Sequence, residues 1–149
     1  MCLTNSQPAE GKQLAYKLME KLPNGSYRPI FDSSRTHDAR KFRLCGTYKA
    51  RASDEPFHAF TTEKDAREYE GVLRWGISDQ YLGPVDNVYY IWSTNASRYT
   101  PWALLLVNLF QCRVGTCFNE TPGISGQRMT IRKELAVLHT PEPSSTLSP

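Results

Sequence analysis

Residues 57–69, Phe57-His58-Ala59-Phe60-Thr61-Thr62-Glu63-Lys64-Asp65-Ala66-Arg67-Glu68-Tyr69, constrain the fold of this chain more than any other stretch. Phe57 and Phe60 are bulky and β-prone, and the first four residues alternate loosely, as a partly buried strand does. Thr62 stands three residues before Asp65, a weak capping box in which a hydroxyl takes up a free N–H of the first turn. Glu63 and Asp65 add negative charge where the helix dipole favours it. Ala66, Tyr69, Val72 and Leu73 then recur at helical spacing and make one apolar stripe. Gly76 is the expected stop. The unit is a strand turning into an amphipathic helix.

The rest of the chain favours strands. Pro23-Asn24-Gly25-Ser26 is a strong turn signal. It makes Gln13–Leu22 and Tyr27–Phe31 the arms of a β-hairpin, although Leu14, Leu18 and Leu22 also fit helical spacing. Phe42, Leu44 and Tyr48 suggest a short strand with Gly46 as a bend. Val88-Tyr89-Tyr90-Ile91-Trp92 reads as a strand. Thr100, Pro101 and Gly115 would frame a helix over 102–114. The dense β-prone run Leu105-Leu106-Val107-Asn108-Leu109-Phe110 favours instead a central strand buried on both faces. Glu120-Thr121-Pro122-Gly123 is expected to be a loop, and Met129–Val137 a further strand. Residues 78–87 read as an irregular loop. The expectation is one α+β domain over residues 1–139, mainly antiparallel or mixed sheet with one clear amphipathic helix. Residues 140–149 are rich in Pro, Ser and Thr and read as a disordered tail.

Composition narrows the function classes. A chain of 149 residues has room for a real core, and a net charge of +3 does not by itself imply nucleic acid. Trp102–Phe110, the longest apolar run, is too short to span a bilayer. Polar residues follow Met1, and no signal peptide is visible. The expected setting is soluble, cytoplasmic and reducing. Cys2, Cys45, Cys112 and Cys117 are then free thiols, and the sequons at Asn24, Asn95 and Asn119 are chance matches.

Three constellations carry chemistry. His58 is the first, a group whose ordinary pKa suits acid–base work; the bland reading is a half-buried histidine bonded to backbone. Cys2 exposes a thiol beside its own α-amine once Met1 is removed, and with His58 as partner it would act as a nucleophile. No glycine-rich oxyanion loop accompanies it. The second is Cys112 and Cys117 around Gly115, with Cys45 and His58 to complete a tetrahedral set. That spacing is no zinc knuckle, and small core or hairpin cysteines explain it more simply. No metal or cofactor is expected. The third is basic: Arg35, Arg40, Lys41, Arg43, Lys49 and Arg51 gather around Phe42 and Tyr48. Such a mixture suits nucleic acid, but pairing with the acidic segment that follows explains it more cheaply. Arg43, Tyr48 and Tyr90 are the expected ligand contacts, toward a protein or small-molecule partner, with nucleic acid the less favoured alternative and no membrane.

Met1-Cys2-Leu3, the Phe57-His58-Ala59-Phe60 box, the Thr-capped helix with Asp65-Ala66, and Arg128-Met129-Thr130-Ile131 together resemble a scattered group of small phage, viral and bacterial proteins. Those begin Met-Cys-Leu and carry a Gly-Phe-His-(Ala or Ser)-Phe box before a helix with Asp-Ala. Here Pro56 replaces the glycine. The resemblance implies a viral or phage type of protein and assigns no activity. Phe60–Tyr69, or Tyr89–Gly115 with Ser97 and Tyr99, is similar to the strand and capped helix of ADP-ribosyltransferase-like folds. That similarity implies a late catalytic acid, for which Glu120 and Glu134 are the acids in range and neither matches a motif. The leading expectation is a small binding or interaction protein. The rival is a small transferase or hydrolase, either ADP-ribosyltransferase-like or using the Cys2 nucleophile.

Overall fold

The computed structural model describes residues 3–29, 41–51, 53, 56–71, 101–117 and 121–138. In chain order these form β1 (Thr4–Ala9), β2 (Gln13–Lys21), β3 (Tyr27–Pro29), β4 (Thr47–Lys49), β5 (Phe57–Phe60), β6 (Trp102–Cys117) and β7 (Thr121–Leu138). One helix, α1, covers residues 63–71 between β5 and β6.

The two long strands are the spine. β6 and β7 pair antiparallel from Trp102↔Leu138 at one end to Cys117↔Thr121 at the other. The free edge of β6 takes β2 along residues 102–109 and β1 along residues 112–116. The free edge of β7 takes β5 along residues 123–126 and β4 along residues 128–130. A single bridge, Tyr16↔Phe60, joins β2 to β5. The ring β6–β2–β5–β7 therefore closes on itself. β3 lies beside β2, and Tyr27 exchanges two 2.7 Å backbone hydrogen bonds with Phe42, leading the chain toward β4. Every pairing among the described strands is antiparallel.

Closure gives the sheet two faces with different surroundings. Ala15, Met19, Leu105, Val107, Met129 and Ile131 alternate along their strands and meet inside the ring as one buried cluster. Leu18, Phe60, Trp102 and Leu104 point outward at one end and bury against Ala66 and Tyr69 of α1. β6 is thus covered on both faces over its first half, which explains its unbroken apolar run and why the strand reading prevails over the helix.

The hairpin forms where the turn residues place it. Gly25 takes φ of +85°, and Asn24 Oδ1 accepts the Ser26 N–H at 3.0 Å, the side-chain bond that makes Asn a turn residue. The β5–α1 unit also forms. Thr62 Oγ1 accepts the Asp65 N–H at 3.1 Å, Arg67 pairs with Glu63 at 2.8 Å, and Tyr69 stacks on Phe60 with ring centroids 5.3 Å apart. In the stripe anticipated for this helix, Ala66 and Tyr69 are buried; Val72 and Leu73, with the Gly76 stop, lie outside the described residues.

Three expectations change. Residues 121–123 are the start of β7 rather than a loop. Pro122 is only the second residue of the strand, opposite Thr116, where a missing N–H disturbs the ladder least. Second, Phe42–Tyr48 is not one strand. Phe42 makes an isolated bridge, Cys45 adopts φ of +66°, and the strand itself is Thr47–Lys49, with Cys45 and Gly46 bonding Ile131 of β7 ahead of it. Third, β6 extends past the anticipated 102–114, through Gly115 to Cys117. The anticipated strand at 88–92, the loop at 78–87 and the tail at 140–149 lie outside the described residues.

Gly115 shows what the long strand requires. A Cβ there would stand 2.7 Å from Thr4 O and 3.1 Å from Ser6 Cα, where β1 bulges toward β6. Gly115→Ala is therefore expected to push β1 off the edge of β6, with faster amide exchange at residues 4–9 and little change in β7. Unaltered exchange there would show that the close approach carries no strain. Tyr69→Ala should cost about 3 kcal/mol in urea unfolding, the usual loss for a large buried aromatic.

Candidate functional site

His58 sits at the middle of β5. Phe57 and Ala59 face the ring interior, so His58 and Phe60 face outward. The imidazole is half-buried, and its pKa is lowered to about 4, first by burial and then by the Lys17 charge, with a hydrogen bond to the Pro56 backbone opposing. Such a histidine is neutral across the physiological range.

Lys17 explains the local geometry. It lies on β2 between interior residues Ala15 and Met19, opposite buried Leu105. β2 and β5 exchange only the Tyr16↔Phe60 bridge. Beyond it the His58 carbonyl would lack a ladder donor, and Lys17 Nζ donates to it at 2.6 Å. Burial lowers this amine to about 8. The ammonium thus closes the seam at the weakest pairing of the ring.

A second polar cluster lies farther along the same interior face. Glu134 on β7 accepts from Lys21 at 3.0 Å and from the Tyr27 hydroxyl at 2.6 Å. Burial pushes the Glu134 carboxyl up, but the bonds from Tyr27 and Lys21 outweigh it and hold it below its ordinary value. Burial and the same carboxylate push the Tyr27 phenol up. On the outer face, buried Glu20 accepts Arg28 Nε at 2.8 Å from the directly opposite position on β3. Glu134, an acid in range of the ADP-ribosyltransferase-like similarity, is bound on both oxygens by its own fold.

Of the anticipated ligand contacts, Tyr48 and Arg43 are described and lie side by side. Tyr48 packs inward, edge-on to Phe42 with centroids 4.6 Å apart, and its hydroxyl accepts the Arg43 N–H at 2.7 Å. That bond fastens the turn that carries exposed Arg43. Tyr48 faces inward and His58 outward, so the two do not converge. Cys2, Tyr90 and Glu120 lie outside the described residues. Cys45 is exposed in the turn, whereas Cys112 is buried in the ring; burial pushes its thiol up, against a hydrogen bond from the Gln13 backbone. Among the described residues no three of His, Cys, Asp or Glu gather into a metal-binding group.

Asn108 was not singled out by its sequence context. It interrupts the apolar run of β6, points outward between Leu14 and Thr130, and is 7 % exposed. Its Oδ1 has no hydrogen-bond partner, an arrangement that costs about 1–3 kcal/mol when a group is sealed from water. A polar residue inside the apolar run Trp102–Phe110 was the available signal. Lys17 gave none, because an alternating strand with one lysine reads as a solvated face.

No known protein family, curated protein or solved structure matches this chain. No helix among the described residues is long and apolar enough to cross a membrane.

The His58 environment has a pH signature. Its folded pKa lies below the unfolded value near 6.5, so the unfolded chain takes up the proton first as pH falls. Stability from this group is complete above about 6.5 and is lost as pH falls to about 4. At about 1.4 kcal/mol per unit the loss is at most about 3.5 kcal/mol. Glu134, depressed below its ordinary value, adds a loss that begins as pH falls through about 4.5 and continues below it. Urea titrations from pH 7 to 4 should show a falling stability whose upper segment flattens in His58→Gln. Parallel profiles for the two proteins would show that His58 is not buried as described.

Proposed function

We propose that the chain is a small non-catalytic binding protein of viral or phage type, working in a reducing cytoplasm on a protein or small-molecule partner. The observation that carries the reading is the state of His58. A base with a pKa of about 4 is mismatched to proton transfer near neutrality, where the best catalyst has a pKa near the working pH. Its neighbour Lys17 is engaged with the His58 carbonyl, and Glu134 is engaged with Lys21 and Tyr27. Groups that an enzyme would present to substrate serve here to hold strands together. The helix contributes in the same spirit: its apolar stripe, begun by Ala66 and Tyr69, anchors β5 rather than lining a cleft.

The rival is a transferase or hydrolase built on Cys2 with His58, or an ADP-ribosyltransferase-like enzyme using Glu134. A nucleophilic Cys2 must have an exposed thiol of depressed pKa. Iodoacetamide labelling at pH 7, followed by peptide mass spectrometry, should find Cys2 reacting at the rate of an ordinary thiol, and equally in His58→Ala. Purified protein should leave NAD intact. Rapid labelling of Cys2 that His58→Ala slows, or NAD consumption that Glu134→Gln abolishes, would replace the binding reading with the corresponding enzyme.

A further inference from the structure

We infer that the outer face of β2, β6, β7 and β4, beyond the part covered by α1, is a docking surface for single-stranded nucleic acid. The inference rests on the non-catalytic binding reading and puts nucleic acid, the alternative less favoured by the sequence, in place of its protein or small-molecule partner.

The strand registers lay out this face in rows. One row runs Leu14–Asn108–Thr130–Thr47 across the four strands. A second runs Phe110–Arg128–Lys49, and a third Tyr16–Leu106–Lys133. Arg132 is the extra residue of a bulge between the first and third rows. No Asp or Glu stands in these rows. Arg128, Arg132 and Lys133 are exposed, and none makes an ion pair with a described residue. Three cations on one strand, without acids among them, are complementary to a polyanion.

The same rows carry flat and apolar groups. Leu14 is 52 % exposed, and Leu106 and Phe110 are half-exposed beside it. The Arg128 guanidinium lies over the Phe110 ring, 5.9 Å from its centroid. Rings and guanidinium planes are the surfaces on which unpaired bases stack. A duplex hides the base faces on which such groups stack. An acidic peptide satisfies the charge but has no planar faces to stack.

Asn108 adds an independent indication. Its buried carboxamide oxygen lacks a donor and lies between the apolar and the cationic groups. On an unpaired base the exocyclic amine of adenine or cytosine, or the N3–H of thymine, can donate to such an oxygen. The face therefore takes unpaired bases without choosing among A, C and T.

Fluorescence anisotropy with labelled 20-nucleotide oligo-dA, oligo-dC and oligo-dT tests this, with a 20-base-pair duplex and a polyglutamate peptide as competitors. All three oligonucleotides should bind, and neither competitor should displace them. With three phosphates at about 0.7 each, the log–log salt slope should be about −2. The Arg128→Ser/Lys133→Ser double variant should weaken all three oligonucleotides and make that slope shallower by about 1.4, at an unchanged melting temperature. Asn108→Leu should fold and should weaken all three oligonucleotides. Absence of binding at low salt, equal binding of duplex or polyglutamate, or an unaffected double variant would each overturn the inference. None of those results touches the binding reading, which stands or falls on Cys2 labelling and NAD turnover.

Discussion

The β6–β7 ladder is the interaction on which everything else hangs. It runs the length of both strands and leaves each with one free edge. A sixteen- and an eighteen-residue strand are far longer than the usual five or six residues. Paired ribbons of that length twist strongly, and the register shifts at Leu104/Leu105 and Leu106/Val107 mark bulges that bend them further. That curvature brings the two free edges round until the short strands β2 and β5 can bridge them. The apolar interior follows from this closure, because only a curved sheet gives Ala15, Leu105 and Met129 a common side to meet on.

Closure creates a polar problem as well as a core. Where β2 and β5 diverge after one bridge, a backbone carbonyl is left without a strand partner, and Lys17 supplies the donor. Farther along, Glu134 ties Lys21 and Tyr27 to β7. Buried ion pairs add little net stability over well-packed apolar groups. Their effect here is geometric: each links strands that are distant in sequence and fixes their register. Burial is the main cause of the depressed His58 pKa, and the same arrangement adds to it, since the lysine charge that mends the seam also disfavours a proton beside it.

The two faces of the ring therefore divide the labour. The inside is spent on cohesion, and at one end the outside is closed by α1. The remaining outer rows combine exposed cations, half-exposed apolar side chains and a sealed carboxamide, none of which the interior packing requires. A structural residue at 108 would be served better by Leu or Val. The Asn costs stability in the free protein, and that cost is what draws attention to this face rather than to His58.

Much of the local structure was legible. The turn at Asn24-Gly25, the strand at Phe57–Phe60 and the Thr62 cap are set by short-range sterics and hydrogen bonds, so the residues themselves determine them. The strand character of 102–114 also followed from its β-prone run. What the residues did not reveal was partnership. Pro122 and Gly123 read as a loop because their local preferences favour a turn, and only the pull of a long ladder draws them into β7. Tyr48 and Arg43 looked like ligand contacts because their side chains suit that purpose; the fold turns Tyr48 inward and uses its hydroxyl to fasten a turn. Lys17 with His58, Glu134 with Tyr27, and Asn108 with Leu14 and Thr130 are separated by 41, 107, 94 and 22 residues. Local sequence determined which segments are strands, because strand formation is governed by neighbouring side chains and backbone preference. Tertiary structure alone decided which edges meet and which side chains share a face, because a one-residue shift in register sends every side chain of a strand to the opposite side.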